Sequence, residues 1–323
     1  MRAVLRGIGG AFCAALVWGC PVAVQARSTF PDRPIRIVVP WPAGGSVDMA
    51  TRMVSSQVAA GLGQPVVVEN RPGAAGNIGA MAAAKSAPDG YTLLMATTPM
   101  IINSSLTKGT SVDLARDFTP VSLLVNLNYV LVVNPSVANS VGELIAKAKA
   151  SPGQLSYASS GPGTQLHLIG EAFKRQAGID IVHVPYKGAP PALTDMAGGV
   201  VQMMFPGFPV VEPLLKAGRL KALAVVGSHR LPYLPGVPTL AEAGVPGIES
   251  TEWYGVVAPT GTPAEVVARL NGEFAKVLND PGIRQRLASR GFQPVGGTPQ
   301  GFAEFIGTEQ KKWPALVKQA GLQ

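Results

Sequence analysis

The feature of this sequence that most constrains its fold is an alternation of short β-branched runs with amphipathic helical segments. The run Ile35-Arg36-Ile37-Val38-Val39 predicts a strand, and after a loop of Pro and Gly the pattern over 46–60 predicts a helix. Further strands are predicted over 66–69, 92–96, 129–133, 155–158, 179–184, 200–205 and 220–225, with helical patterns between most of them and over 262–279, 281–290 and 299–319. Such alternation is typical of an α/β fold with parallel strands and helices on both faces of the sheet.

Composition agrees with many short elements. Gly and Pro together, 38 and 29, make up 67 of 323 residues. A single bundle of long helices is therefore excluded, because both residues interrupt helices. Hydrophobic residues are 47% of the chain, which is too many for a disordered chain. The length predicts about two domains.

Two extended stretches, 118–134 and 248–259, could connect two α/β units. If the chain crosses between the units at the first stretch and returns at the second, one unit is discontinuous. This predicts a first lobe of residues 27–124 plus 255–323 and a second lobe of residues 125–254. Two crossing strands between lobes form a natural hinge.

The first 26 residues have the organisation of a secretory signal peptide. Arg2 and Arg6 precede an apolar run over 8–18, and Val24-Gln25-Ala26 offers a small-residue cleavage site. Both cysteines, Cys13 and Cys20, lie in this leader, so the mature chain has no thiol. The prediction is export to the periplasm, with lipidation at Cys20 as the alternative. Later apolar stretches are broken by Pro, Gly or charge, so no transmembrane helix is predicted.

Charge and residue content argue against several functions. Net charge is +8 for the chain and +8 − 2 = +6 without the leader, but the basic residues are scattered, so we do not expect nucleic-acid binding. The three histidines, at 167, 183 and 229, have no metal-site spacing, and we expect neither a metal nor a cofactor. Ser160 near His167 could form a nucleophile and base, but no orienting acid is indicated, and a packed histidine explains the pattern better. No catalytic residue is predicted.

Three loops rich in Gly join a predicted strand to a predicted helix. They cover residues 40–48, 70–77 and 159–167. Glycine lets the backbone approach a ligand closely, and a helix start offers free N–H groups and partial positive charge. Two such loops in different halves could therefore face each other and bind an anion. The alternative is that Ser46 and Thr164 only cap helices and the glycines only form turns.

These loops carry a family resemblance that extends over the whole mature chain. The ordered matches are Phe30 to Ile35, Val39 to Gly45, Val68 to Gly79, Pro88 to Leu93, Gly163 to Leu168, Val184 to Gly188, Pro238 to Gly244, Trp253-Tyr254-Gly255 and Ala258 to Pro263. With them the chain resembles the substrate-binding proteins of tripartite tricarboxylate transporters, the periplasmic Bug family. The resemblance implies an α/β, two-lobed, type II periplasmic-binding-protein fold that closes on a small carboxylate.

The resemblance also implies site residues. Ligand contacts are expected from the two glycine loops at Ala43, Gly44, Gly45, Ser46, Asp48, Gly163 and Thr164. Thr97 and Thr98 either line the cleft or are ordinary loop residues, and Asp195 either reaches the cleft or is a solvated helix acid. Gln202 stands where the family commonly has an acidic residue. Met203, Met204 and Phe205 could form a pocket wall, although a buried strand explains them better.

The predicted function is capture of a small organic carboxylate outside the cytoplasm, without catalysis, by a monomer that delivers it to membrane transporter subunits. The alternative is a periplasmic ligand sensor that signals through a partner protein, because the same fold permits it. A hydrolase built on Ser160 and His167 is a distant third. Which carboxylate is bound does not follow from the sequence.

Overall fold

The computed structural model describes residues 30–106 and 112–319. The predicted signal peptide, with Cys13 and Cys20, lies outside the described residues. In the part described, ten strands run in chain order, β1 to β10: Ile35–Val39, Val66–Asn70, Thr92–Thr97, Phe118–Val133, Ser156–Ser159, Val182–Pro185, Met203–Met204, Lys221–Val226, Thr251–Pro259 and Phe292–Pro294.

Eleven helices surround these strands in the described ranges. They are, from α1 to α11, Ser46–Leu62, Asn77–Ala84, Thr98–Leu106, Leu114–Asp117, Val141–Ala150, Gln165–Ala177, Ala189–Ala197, Phe208–Lys216, Ala264–Asn279, Pro281–Ser289 and Pro299–Gln319. None of the described helices is both long and apolar enough to cross a bilayer.

The strands form one continuous sheet in the order β2-β1-β3-β9-β4-β7-β5-β6, with β8 and β10 also paired to β4. β1 is parallel to β2 and β3, and β5 is parallel to β6 and β7. The expectation of parallel pairing holds for these two groups. It is wrong for the middle of the sheet, where β9 is antiparallel to both β3 and β4 because β4 and β9 are the connections between the groups.

β4 joins the two halves of the sheet within a single strand of 16 residues. Its first part, residues 118–128, pairs with β9, and its last part, 129–133, pairs with β8. β9 brings the chain back. We call the half that contains β1, β2 and β3 the first lobe, and the half that contains β5 to β8 the second lobe.

Each lobe has its own buried apolar side chains. In the second lobe one cluster runs from Tyr129 to Ile248 and includes Met203, Met204 and Phe205, all fully buried. Two clusters cover the faces of β1 and β3 in the first lobe, and one of them also includes Leu168 of α6. The division at residues 124/125 and 254/255 stays a prediction.

Four elements differ most from the sequence expectations, and one of them is the unpredicted four-residue helix α4. The helix α3 was not predicted, because its Thr, Ile, Asn and Ser residues have modest helix propensity and Pro99 stands in its first turn, where proline is tolerated. The strand predicted over 200–205 contains only the two residues of β7. The short strand β10 was missed, since three residues carry too little periodicity to be recognised.

Candidate ligand-binding cleft

A narrow cleft lies between the two lobes. The first lobe contributes the start of α1 and the loop before it, and the second lobe contributes the starts of α6, α7 and α8. Its lining residues are Trp41, Pro42, Gly45, Ser46, Val47, Pro99, Ser160, Thr164, Leu166, Gly188, Ala189, Pro190, Gly207, Val210, Glu252 and Tyr254. About 50 Å³ is open to the centres of water-sized molecules, enough for a few waters. The lobes therefore almost meet here.

The first glycine loop, residues 42–48, brings α1 to the cleft. Gly45 is the residue before the helix, and no side chain caps the helix there. Gly44 has a φ of +78°, a conformation that glycine adopts without strain. Its N–H does not face a ligand, because it donates to Asp48 Oδ2 at 3.0 Å. Asp48, the third residue of α1, thus fixes the preceding loop through this hydrogen bond.

Asp48 is 4% exposed and lies outside the cleft lining. Its Oδ1 accepts from Arg52 Nε at 2.9 Å and from Asn70 Nδ2 at 3.0 Å. Burial alone would raise the pKa of Asp48, but Arg52, the Gly44 N–H and Asn70 together hold it below its usual value. The carboxylate therefore remains ionised and fastens the loop to the end of β2 through Asn70.

The second glycine loop, residues 159–164, leads into α6 in the same way. Gly163, with a φ of +71°, donates its N–H to His167 Nδ1 at 3.2 Å. Thr164 is the residue before the helix, but its hydroxyl donates to Gly161 O at 2.7 Å and caps no helical N–H. The third helical residue, here His167, again holds the N–H of the glycine two residues before the helix.

His167 belongs to a stack of rings behind the second loop. Its ring lies 4.0 Å from that of His183, and His183 lies 4.9 Å from Tyr157. His183 Nε2 is 2.7 Å from Ser159 Oγ. Burial lowers the pKa of His167, and burial together with the neighbouring His167 lowers the pKa of His183 to about 4. Both rings are therefore neutral near pH 7.

This arrangement does not form a nucleophile and base. Ser160 lines the cleft, but no hydrogen bond joins it to His167 in the described part of the chain. His167 Nδ1 is already occupied by the Gly163 N–H. The geometry of His167 matches the expectation of a packed, hydrogen-bonded histidine. Nor is any group of three or more His, Cys, Asp or Glu among residues 30–106 and 112–319 placed to hold a metal ion.

Both helices present unpaired N–H groups at their starts. The first helical N–H with a carbonyl partner is that of Met49 in α1 and that of Leu168 in α6. No acceptor among the described residues pairs with the backbone N–H groups of Ser46 and Val47 in α1. The same is true of Gln165 and Leu166 in α6. Unpaired N–H groups at a helix start carry partial positive charge. An anion in the cleft would meet two such starts, one from each lobe.

The back of the cleft is formed by β9 and β4. Glu252 and Tyr254 of β9 line the cleft, and the Tyr254 hydroxyl donates to Glu252 Oε2 at 3.0 Å. The neighbouring Tyr129 hydroxyl donates to Gln165 Oε1 at 2.9 Å, and Gln165 Nε2 donates to Ser250 Oγ. Burial raises the pKa of Glu252 to about 7, although the neighbouring Tyr129 and Tyr254 hydroxyls oppose the shift.

Of the ten residues named from the sequence, three line the cleft: Gly45, Ser46 and Thr164. Ala43 and Gly44 are exposed beside it. Asp48 and Gly163 support the loops, as described above. Thr97 ends β3 and accepts from Trp41 Nε1 at 3.3 Å, so it holds a cleft residue in place.

Thr98 and Asp195 lie outside the cleft lining. Thr98 starts α3 and is fully buried, and its hydroxyl has no hydrogen-bond partner among the described residues. Neither it nor Thr97 is a loop residue, because β3 runs directly into α3. Asp195 accepts from the Tyr186 hydroxyl at 2.8 Å. Gln202 accepts from the Ser156 N–H and hydroxyl, both at 2.9 Å, and so stabilises the start of β5.

The sequence reasoning missed most of the apolar lining and the acid at its back. Glu252 stands beside the motif Trp253-Tyr254-Gly255, and a single carboxylate inside an otherwise apolar strand was the available signal. Gly188 and Gly207 are close-contact positions: a Cβ on Gly188 would lie 2.7 Å from Pro42 Cγ, and one on Gly207 would lie 3.2 Å from Ser46 Oγ. Both contacts join the second lobe to the first loop.

Two lobes joined by two strands, with a helix start from each lobe directed at the cleft between them, define a solute-binding protein of the periplasmic-binding-protein fold. The chain belongs to the tripartite tricarboxylate transporter family of receptors, TctC, whose family model matches residues 50–322.

Relatives and solved structures agree. The chain is 38% identical to protein BugT of Bordetella pertussis over 320 residues, which cover 98% of this chain and 97% of BugT. It superposes on R. palustris Rpa4515 with adipate at a TM-score of 0.87, with 39% identity over 90% of this chain and 98% of that one. It superposes on MatC of Rhodopseudomonas palustris with bound malate at 0.84, with 31% identity over 89% of this chain and 100% of MatC.

Proposed function

We propose that this chain captures a small organic carboxylate in the interlobe cleft, outside the cytoplasm, and delivers it unchanged to a tripartite tricarboxylate-type membrane transporter. The observation that carries this proposal is the meeting of two helix starts, at Ser46 and Gln165, on one narrow cleft. Solved relatives hold adipate and malate, which supports a carboxylate as the ligand here.

The carboxylate accepts hydrogen bonds from the unpaired N–H groups of both helix starts. The Ser46 hydroxyl in the first lobe lines the same cleft and adds a donor, and the Thr164 hydroxyl in the second lobe does so if it turns away from Gly161 O. A ligand that touches both lobes gains its full set of contacts only when they are closed, so it shifts the population toward the closed form.

The energies are sufficient for useful affinity. A dissociation constant of 1 μM corresponds to about −8 kcal/mol. Hydrogen bonds to a charged group contribute about 1.5–3 kcal/mol each, and association costs at least about 4 kcal/mol. Four or five such bonds from the two loops therefore supply micromolar binding without any lysine or arginine in the cleft lining.

Export by the predicted signal peptide would place the protein in the periplasm, as expected for a receptor of this family. We propose that it acts there as a monomer and without a cofactor. Deletion of the gene should abolish uptake of the ligand. Loss of ligand-dependent transcription with normal uptake would instead favour the sensor function.

The direct test is binding by residues 27–323. We would screen this chain by thermal shift and calorimetry against adipate, malate, citrate, glutamate and benzoate. Ligand at about 100 times its dissociation constant stabilises the folded state by about 2.7 kcal/mol, which shifts the melting temperature by a few degrees. No shift with any carboxylate, together with none retained on purification, would overturn the proposal. Chemical turnover of a bound compound would overturn the non-catalytic part.

Site variants test the two loops separately. We expect Ser46→Ala and Thr164→Val each to weaken binding about 2- to 13-fold, the equivalent of one hydrogen bond of about 0.5–1.5 kcal/mol. Ser56→Ala is the matched control on the exposed side of α1, and Thr194→Val is the control in the second lobe. Thr164→Ser keeps the hydroxyl and should retain affinity. Unchanged affinity in both folded site variants would remove these residues from the proposed site.

A further inference from the structure

Glu252 is an acid in the cleft that carboxylate binding does not use. It is 7% exposed and lies on β9, at the back of the cleft that also contains Ser46 and Thr164. No other acidic or basic side chain lines this cleft, and Glu252 forms no ion pair with the residues that the structure describes. A buried carboxylate without a cation is costly.

The groups that face Glu252 are neutral hydrogen-bonding groups. Tyr254, on its own strand, donates to Oε2 at 3.0 Å. Tyr129, from the antiparallel neighbour β4, also contacts the carboxyl group. From the first lobe, Ser46 lies beside the Tyr254 hydroxyl, and from the second lobe Gln165 lies beside the Tyr129 hydroxyl. The Glu252 carboxyl group is therefore linked to both helix starts through one tyrosine each.

An anion held by the helix starts would come close to Glu252, because the cleft is narrow. Two carboxylates cannot both be ionised at close range in a buried site without a cation, so one of them retains a proton. Burial raises the pKa of Glu252 to about 7 even without a ligand, and a second negative charge would raise it further.

Resting on the function proposed above, we propose that Glu252 carries a proton whenever the cleft holds a carboxylate, so that ligand capture takes up one proton. Protonated Glu252 donates its O–H to the ligand carboxylate and adds a hydrogen bond that ionised Glu252 cannot make. The residue thereby favours a carboxylate over a ligand that presents an ammonium group at this position, because an ammonium would require the ionised acid.

The consequence is a pH-dependent affinity. Only the protonated fraction of the free protein is competent to bind, and apparent affinity falls with that fraction. With half-protonation near pH 7, the competent fraction falls about twentyfold between pH 6.5 and pH 8.5. Adipate and malate are ionised at both values and serve as probes.

The experiment is calorimetry of the mature chain with the panel of adipate, malate, citrate, glutamate and benzoate at pH 6.5 and 8.5, each in two buffers of different ionisation enthalpy. Wild-type protein should bind its best probe about twentyfold more weakly at pH 8.5 and should take up close to one proton on binding at that pH. Glu252→Gln, which keeps the shape and cannot ionise, should bind equally well at both values, near the wild-type affinity at pH 6.5. Glu249→Gln is the matched control, because Glu249 is exposed three residues away, and it should keep the wild-type profile.

The outcomes separate this inference from the function on which it rests. Binding of a carboxylate with equal wild-type affinity at both pH values would overturn the proton uptake and leave carboxylate capture intact. Loss of binding in folded Glu252→Gln, or affinity that rises with pH, would overturn it in favour of an ionised Glu252 that holds an ammonium. If no member of the panel binds at either pH, both proposals fall.

Discussion

The two glycine loops, 42–48 and 159–164, are joined to their helices in the same geometry but through different hydrogen-bond acceptors. In each, the N–H of the glycine two residues before the helix donates to the side chain of the third helical residue, and the intervening residue starts the helix without a side-chain cap. In the first loop that acceptor is Asp48, an ionised carboxylate with two further partners. In the second it is His167, a neutral ring in a stack.

Because the acceptors differ, we expect the two loops to respond differently to acid and to mutation. Asp48 joins α1, the loop and Asn70 at the end of β2, so its loss affects three elements. His167 makes one hydrogen bond to the loop and otherwise packs against His183. We therefore expect the first loop to depend more on its acceptor, and the second to be the more sensitive to pH.

The largest expected effect is that of Asp48→Ala. It should lower the free energy of unfolding by about 3 kcal/mol, because it removes a buried carboxylate that accepts hydrogen bonds from Gly44, Arg52 and Asn70. His167→Ala should cost about 2 kcal/mol. Urea unfolding measures both, with Asp195→Ala, which loses one hydrogen bond of a half-buried acid, as the control. Equal costs for the two loop variants would contradict the asymmetry.

The second expectation concerns acid. The pKa of His183 is about 4 in the folded protein and about 6.5 unfolded, so between these values the unfolded chain binds the proton. The stability from neutral His183 is therefore complete above pH 6.5 and is lost as pH falls to 4, by about 2 kcal/mol after allowance for partial exposure. The pKa of Asp48 is lowered, so its contribution persists down to its ordinary 3.8 and is lost only below that.

The measurement compares wild type with His183→Gln at pH 7 and pH 4.5, and the stability difference between them should shrink by about 2 kcal/mol. The pH dependence of wild-type stability alone does not isolate the effect of His183. Glu252, with its pKa raised to about 7, binds a proton in the folded state first and so stabilises the fold as pH falls over the same range. A stability difference between wild type and His183→Gln that does not change with pH would show that His183 does not cause the acid sensitivity.

Contact between the lobes gives a third expectation. Gly207 has a φ of −61°, which alanine tolerates, but its Cβ would lie 2.5 Å from Leu127 Cδ1 and 3.2 Å from Ser46 Oγ. Gly207→Ala should hold the lobes slightly apart and weaken binding of the best carboxylate about tenfold, or about 1.4 kcal/mol. Gly142→Ala, whose Cβ would meet only Ser140 Oγ at an ordinary contact distance of 3.8 Å, is the control. Unchanged affinity would show that closure does not need this contact.

The smallest effect is expected from Arg52→Ala. Its side chain is 51% exposed and pairs with Asp48 one helical turn earlier, so the loss should be about 0.5 kcal/mol. Lys216→Ala removes the same kind of pair, with Glu212, from the second lobe and should cost as little. A loss above about 1.5 kcal/mol for Arg52→Ala alone would mean that Asp48 relies on this cation, and not on its hydrogen bonds, to stay ionised.

Sequence reasoning predicted what local periodicity and turn chemistry encode. It found most strands, the long extended segment that became β4 and the two glycine loops. The family resemblance named Ser46 and Thr164, each at a strand-to-helix corner, as ligand contacts, and both line the cleft. It interpreted Asp48 as a ligand contact or an acid that favours the helix start, because its partner Asn70 is 22 residues away in sequence and comes close only through the pairing of β1 with β2.

The side chains that form the back of the cleft could not be predicted in the same way. Whether Glu252 faces the cleft or solvent is decided by the register of β9 against β4, where one residue of slip reverses every side chain. The interlobe contacts of Gly188 and Gly207 depend on the relative position of two separately packed halves. α3 forms although its residues have modest helix propensity, because tertiary packing overrides local preference.

The two strands that cross between the lobes carry Tyr129, Glu252 and Tyr254, so an opening of the lobes about these strands would leave these groups near its axis. Points near an axis move little, while loops away from it, such as those at Pro42 and Gly188, would move more. A ligand that enters an open molecule would therefore find the axial side chains already in place and these loops still distant. In such an opening the groups near the axis would meet the ligand first, and the contact between Pro42 and Gly188 would form on closure.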